Sequence, residues 1–79
     1  KTAAKVTAFL QQLGLIPQTG LALTGVKARV ESGRPGPTVA VLGELDAIGC
    51  PDSCKADPLT GAAHACGHNL QVATMAAVA

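Results

Sequence analysis

The run TVAVLGELDAIG, residues 38–49, joins an apolar segment to two closely spaced carboxylates. Residues 38–43 are almost continuously apolar and rich in β-branched side chains, which is typical of a strand covered on both faces. Glu44 and Asp46 follow directly, and open α/β sheets bind their ligands outside the carboxyl ends of strands. The pattern alone leaves two interpretations open: the carboxylates belong to a site, or they are turn and cap residues.

The residues before this run predict a helix and a second strand. An i, i+3, i+4, i+7 spacing indicates an amphipathic helix over residues 2–14 that stops at Gly14. Its apolar stripe consists of Val6, Phe9, Leu10 and Leu13. Residues 25–32 alternate apolar and polar side chains, which predicts a strand with one solvated face. The turn formers at 33–37 then join the two strands in a β-hairpin whose second strand lies nearer the sheet centre.

The residues after the run predict a long loop and a second helix. Residues 49–63 are rich in Gly, Pro and Asp, and unstructured loops of this length are usually functional or disordered. Both histidines of the chain then fall within HACGH, residues 64–68, around a thiol. A helix is predicted to begin at once, with Asn69 as a suitable N-cap. Its apolar stripe consists of Val72, Met75, Ala76 and Ala79.

Composition limits the classes of protein that fit. The 79 residues carry a formal net charge of +1 and a single aromatic side chain, so nucleic-acid binding has little support. No apolar run approaches the roughly 20 residues that span a bilayer, so we expect no membrane partner. Three cysteines are a poor disulfide framework and fit a reducing, cytoplasmic location. Because few bulky side chains are available for a core, we expect residues 1–79 to be part of a larger protein.

Cys66 and His68 are candidate metal ligands on spacing alone. Side chains at i and i+2 can point the same way, and Gly67 between them allows an unusual backbone angle. Sulfur and nitrogen donors suit zinc or another late divalent ion. The simpler interpretation is a small buried cysteine beside a structural histidine.

Two further interpretations use the same residues. Cys66 would be a nucleophile with His64 or His68 as its base, although catalytic Cys and His partners usually come from distant parts of a sequence. The main alternative is a small structural zinc-binding module, because tetrahedral zinc takes four ligands. Its ligands would be Cys50, Cys54, Cys66 and His68.

The two motifs taken together resemble a known family. VAVLGELDAIG followed by GAAHACGHNLQVATMAAVA resembles the metal-dependent amidohydrolases of the aminoacylase and carboxypeptidase type, peptidase family M twenty. The resembling branch cleaves N-acyl amino acids, indole-acetyl amino acids and aminobenzoyl-glutamate. Its hallmark is a buried strand ending in D-x-D-A or E-x-D-A, then a loop, then HACGH followed by Asp or Asn. Residues 38–79 resemble these motifs closely, and residues 1–37 resemble the family in layout.

The resemblance implies roles for three residues in particular. Cys66 and His68 match the positions of two metal ligands. Asp46 matches a carboxylate next to the site that orients a histidine ligand or tunes the metal. We therefore predict Asp46 as the catalytic residue of this chain, with Cys66 and His68 as its metal ligands.

Three further positions match the motifs with less defined roles. Glu44 stands where many relatives have a histidine ligand and where this branch often has Ala or Glu. Asn69 stands where relatives often carry an Asp that bridges two metals, which a neutral amide does poorly. His64 matches the first position of HACGH, and we expect it to orient a ligand through a hydrogen bond.

The resemblance also implies a fold and an activity. Residues 1–79 would be the truncated N-terminal part of one α/β catalytic domain of the mixed-sheet, helix-flanked metallopeptidase type, in the order helix, β-hairpin, long loop, helix. One or two divalent ions (Zn, Mn, Co or Ni) would activate water to hydrolyse the amide of a small N-acyl amino acid or peptide-like substrate. The general-base Glu and further ligands would lie downstream, so residues 1–79 alone are expected to be inactive. We also expect a homo-oligomer.

Overall fold

The computed structural model describes residues 1–79, which form two helices and two small antiparallel sheets. The chain is therefore mixed α/β, as predicted. Its elements are α1 Thr2–Gln12, β1 Gln18–Leu21, β2 Gly25–Lys27, β3 Ile48–Gly49, β4 Ala62–Ala63 and α2 His68–Val78. The chain divides into two compact units: a first unit of Lys1–Val41 with Val78–Ala79, and a second unit of Leu42–Ala77. Neither helix has the length and apolarity that crossing a bilayer requires.

In the first unit, α1 ends at the glycine that the sequence predicts as its stop. Gly14 has a φ of +79°, a left-handed conformation that costs glycine little. The N–H of Gly14 donates to the carbonyl of Gln11 at 2.9 Å, and the N–H of Leu15 donates to the carbonyl of Leu10 at 3.1 Å. These two bonds form a Schellman motif, which satisfies carbonyls that the helix itself leaves without partners.

The hairpin of the first unit does not pair the predicted strands. β1 pairs with β2, and the three-residue connection 22–24 joins them. Residues 28–43 belong to no helix or strand, so the predicted strands at 25–32 and 38–43 are wrong beyond residue 27. A continuous apolar run such as 38–43 has strand propensity but specifies neither a face nor a register. Without a paired neighbour it remains irregular, and Val39 is 80% exposed.

In the second unit, a small sheet closes the segment predicted as a loop. β3 pairs with β4, with Ile48 opposite Ala63 and Gly49 opposite Ala62. The N–H of Cys50 donates to the carbonyl of Gly61 at 2.9 Å, which extends the pairing by one step. The prediction of an unpaired loop over 49–63 is therefore wrong at both ends. The side chain of Ala63 is the buried apolar core of the chain, with 2% exposure.

The interior of this closed loop is organised by one carboxylate. Oδ1 of Asp57 accepts the backbone N–H groups of Leu59 and Thr60 at 3.0 and 3.1 Å, and the Thr60 hydroxyl at 3.3 Å. The backbone of Asp57 also bonds to Ala62 and Gly61, at 2.8 Å each. Asp side chains favour such turns because they give the backbone a local partner.

α2 begins at His68, two residues earlier than an N-cap at Asn69 would allow. Gly67 adopts a φ of +101° just before the helix, and its carbonyl accepts the N–H of Leu70 at 2.9 Å. Because this glycine makes the chain reversal, Asn69 lies inside the first turn and its prediction as N-cap is wrong. His68 therefore stands at the start of the helix, and Gln71 lies next to it on the helix surface three residues later.

Candidate metal centre

Three side chains with metal-ligating atoms converge in the second unit. Glu44 and Asp46 lie on the irregular segment that precedes β3, and His68 is the first residue of α2. One ligand atom from each residue lies within 4.8 Å of the ligand atoms of the other two. We call Glu44, Asp46 and His68 the acidic–histidine cluster.

The two carboxylates approach opposite nitrogens of the His68 ring. Oε2 of Glu44 lies 2.8 Å from Nε2, and Oδ1 of Asp46 lies 2.6 Å from Nδ1. Nδ1 is buried and makes no hydrogen bond, so this short contact with Asp46 is a charge contact and not an aligned hydrogen bond. The carboxylate side chains of Glu44 and Asp46 are 63% and 60% exposed. Ion pairs this exposed contribute at most about 1 kcal/mol each, and only while the ring is protonated.

The donor atoms of the cluster fit a divalent cation. Carboxylate oxygen and imidazole nitrogen are ligands that zinc, manganese, cobalt and nickel accept. Two carboxylates around a neutral imidazole also balance the charge of such an ion. Because Nδ1 is buried against Asp46, Nε2 beside Glu44 is the ring nitrogen that remains for ligation. A catalytic zinc ion commonly takes three protein ligands and keeps one open position.

The other predicted site residues lie near the cluster in sequence but outside it in the structure. Cys66 is an exposed free thiol in the bend before α2. His64 is half-buried directly after β4, and Asn69 is exposed in the first turn of α2. Neither Cys66 nor His64 contributes a ligand atom to the cluster, so the structure gathers His68 with the two carboxylates and not with the thiol.

The cysteines do not form a ligand cluster of their own. All three are free thiols: Cys50 is half-buried, and Cys54 and Cys66 are exposed. Together with His68 they do not form a group of ligand atoms within reach of one ion. The alternative of a small structural zinc-binding module therefore gains no support from the geometry.

Gln71 is a site residue that the sequence analysis missed. Its Oε1 accepts the backbone N–H of Glu44 at 3.0 Å, and its Nε2 donates to Oε2 of Glu44 at 3.5 Å. The available signal was its position three residues after His68, which makes the two side chains neighbours on one helix surface. That spacing does not predict the hydrogen bond between Gln71 and Glu44, which are 27 residues apart.

An open cleft borders the cluster. It has a volume of about 480 Å³ and is lined by Leu42, Gly43, Glu44 and Gln71. Leu42 is 85% exposed, so apolar surface lies beside the Glu44 carboxylate. Apolar surface and a carboxylate therefore lie side by side at this edge of the cluster.

Comparison with known proteins finds hydrolases over nearly the whole chain. The chain is 38% identical to the Bacillus subtilis protein YhaA, which is named as an amidohydrolase, over 82 aligned positions that cover 100% of it. It is 31% identical to thermostable carboxypeptidase 2 of Saccharolobus solfataricus over 94% of its length. It is 32% identical to an Arabidopsis thaliana IAA-amino acid hydrolase, ILR1-like 6, over 91% of its length.

These relatives are much longer than the region they share with the chain. The chain spans about a fifth of their length: 21% of the Bacillus protein, 20% of the carboxypeptidase and 16% of the Arabidopsis hydrolase. No protein-family model matches the chain, and no solved structure matches it.

The relatives and the motifs agree on one class of protein, the amidohydrolases and carboxypeptidases. Within that class, the chain belongs to peptidase family M twenty, which its two motifs resemble. The family predicted from the sequence is thus confirmed.

Proposed function

We propose that the protein to which residues 1–79 belong is a divalent-metal-dependent amidohydrolase. The observation that carries the proposal is the convergence of Glu44, Asp46 and His68 at positions that the family motifs single out. The names of the relatives support hydrolase function in general. The finer proposal concerns the substrate, which would be an N-acyl amino acid or a small peptide-like molecule cleaved at its amide bond.

Each residue of the cluster has a defined part in this proposal. Nε2 of His68 and the carboxylate of Glu44 would hold the ion, while Asp46, whose Oδ1 lies 2.6 Å from Nδ1, would restrict the ring from the other side. Cys66 is a further proposed ligand on the family resemblance alone. A bound divalent cation supplies Lewis acidity, which polarises an amide carbonyl and makes water a stronger nucleophile near neutral pH.

The cleft beside the cluster is the proposed binding site for the substrate. The exposed side chain of Leu42 offers apolar surface to an acyl group, next to the carboxylate that helps to hold the ion. We further propose that residues 1–79 form part of one catalytic domain and that the protein is a homo-oligomer. The family resemblance is the support for these last two statements.

The test compares metal content and amide hydrolysis in purified full-length protein. His68→Ala should lose bound metal and more than about 100-fold of the rate on a panel of N-acyl amino acids, because ligand loss exceeds the 10–100-fold effect of outer residues. Thr74→Val is the matched control on the same helix, since the Thr74 hydroxyl donates only to the Leu70 carbonyl at 2.9 Å. Unchanged metal content and rate in His68→Ala would contradict the proposal.

A further inference from the structure

Gln71 holds Glu44 at both its main chain and its carboxylate. The side-chain amide accepts the Glu44 N–H through Oε1 at 3.0 Å and donates to Oε2 through Nε2 at 3.5 Å. The same Oε2 faces Nε2 of His68 at 2.8 Å. One side chain of α2 therefore bridges a sequence distance of 27 residues and ends on the atom that meets the histidine.

A second observation shows that this segment lies close against α2. A Cβ added to Gly43 would lie 2.5 Å from Sδ of Met75 and 3.4 Å from Cβ of Gln71. Real Cβ atoms essentially never come within 3.0 Å of a non-bonded heavy atom, so only glycine permits this approach without movement of Met75. The residue before Glu44 is thus fitted to the helix surface that carries Gln71 and Met75.

We propose that Gln71 is a positioning residue that fixes Glu44 for metal ligation. This inference rests on the proposed function, because it concerns how the acidic–histidine cluster is held. Residues 42–46 belong to no helix or strand, so regular structure does not set the direction of the Glu44 side chain. The Gln71 amide sets it instead, by fixing the backbone and restricting the rotation of the carboxylate.

The expected effect is moderate because the bonds are exposed to solvent. The Glu44 side chain is 63% exposed, and the bond from Nε2 is long at 3.5 Å. The bond from the Glu44 N–H is the stronger of the two. Loss of outer residues that orient metal ligands typically weakens metal binding 10–100-fold. For loss of the Gln71 amide we expect the lower end of this range, about a tenfold weakening of metal binding.

The experiment measures Co²⁺ affinity of the metal-free, full-length protein, with Gln71→Met as the test variant and Thr74→Val as its control. Methionine keeps the length of the side chain but has neither the amide acceptor nor the amide donor. Gln71→Met should bind Co²⁺ about tenfold more weakly and change its visible absorption spectrum, which reports the ligand geometry around the ion. Thr74→Val should change neither.

A double-mutant cycle separates positioning of Glu44 from a general structural role. If Gln71 acts through Glu44, Gln71→Met should have no further effect on Co²⁺ affinity in a protein that already carries Glu44→Ala. A structural role would weaken Co²⁺ binding by the same factor in both backgrounds, and would lower the thermal stability of the metal-free protein in both. Equal factors in the two backgrounds would overturn the inference, as would wild-type affinity and spectrum in Gln71→Met.

The failure of this inference is distinguishable from the failure of the proposed function. If His68→Ala abolishes Co²⁺ binding while Gln71→Met leaves it unchanged, the metal centre stands and Gln71 has no positioning role. If His68→Ala also binds Co²⁺ as the wild type does, the metal centre itself is wrong.

Discussion

The two units of the chain are ordered by different kinds of interaction. In the first unit, regular backbone hydrogen bonds form α1 and the β1–β2 hairpin, and a left-handed glycine ends the helix. The second unit also has regular backbone hydrogen bonds, in α2 and in the β3–β4 pair, but side chains that bond to backbone hold its irregular segments, with Asp57 and Gln71 as the main contributors. The acidic–histidine cluster lies in the second unit.

This difference shows where a ligand-binding geometry is set. A helix stop such as Gly14 needs only local sequence, whereas the position of Glu44 depends on a residue 27 positions away. Irregular segments carry function because their direction is free to be set by specific contacts. The comparison predicts that substitutions at the acidic–histidine cluster and at the residues that hold it affect metal binding, while substitutions in the first unit affect only local stability.

After the loss of His68 itself, the largest effect is expected from a thiol substitution in the second unit. If Cys66 joins the cluster in the metal-loaded protein, as the family resemblance implies, Cys66→Ser should weaken metal binding about 100-fold, since a ligand outweighs an outer residue. Cys54→Ser is the matched control, because Cys54 is also an exposed free thiol of this unit. Competition with a chromogenic chelator measures both. Wild-type metal affinity in both variants would show that Cys66 is not a ligand. Weaker metal binding in Cys54→Ser would instead support the structural zinc-binding module.

Substituting one glycine in each unit compares how closely the backbone is packed in the two units. Gly43→Val should destabilise the protein by about 1–2 kcal/mol, because its side chain overlaps Sδ of Met75 and the Met75 side chain must move away. Gly36→Val in the first unit is the control, since a Cβ there meets nothing within 4 Å. Chemical denaturation gives both free energies of unfolding. Similar small losses would show that the close approach at Gly43 does not matter for stability.

The stability of the loop closed by β3 and β4 should depend on one acceptor oxygen, Oδ1 of Asp57. Asp57→Ala removes the partner of the Leu59 and Thr60 N–H groups, and should lower local stability by about 1–2 kcal/mol. Asp57→Asn keeps a side-chain oxygen and should lose less. Hydrogen exchange of residues 50–61 measures the effect. Equal losses in the two variants would show that the negative charge matters and not the acceptor geometry.

The smallest effect is expected at the end of α1. Gly14→Ala places a side chain at a φ of +79° and should cost about 1 kcal/mol, because Cβ disfavours the left-handed conformation. No atom lies within 4 Å of that Cβ position, so backbone strain is the only cause. Faster hydrogen exchange in the last turn of α1, with metal affinity unchanged, is the expected result. A change in metal affinity would contradict the separation of roles between the two units.

Sequence reasoning succeeded where the decisive interactions are local. The helical spacing and Gly14 predict α1 and its end, and the HACGH motif predicts the family and a helix that begins at the motif. Spacing also placed Glu44 and Asp46 as candidate site residues, which the structure brings to the same histidine.

The sequence does not predict the contacts between segments that are distant along the chain. The strand propensity of residues 38–43 does not specify which segment they pair with. The predicted hairpin therefore joins the wrong segments, since β2 pairs with β1 and not with residues 38–43. The pairing of Ile48 with Ala63 uses two residues per strand, too few to produce a periodic signal. The bond from Gln71 to Glu44 likewise leaves no pattern in either segment, because each residue is an ordinary polar residue in its own neighbourhood.

The uncharged stretch that leads into Glu44 has a consequence for handling the protein in concentrated solution. Residues 38–43 contain no charge and no proline, and six-residue windows of this kind nucleate cross-β stacking between molecules when they are uncovered. Pro37, immediately upstream, limits how far such stacking can extend towards the N-terminus. Fibril formation that is steeply concentration-dependent should therefore start at this stretch, and a lysine in place of the exposed Val39 should delay it.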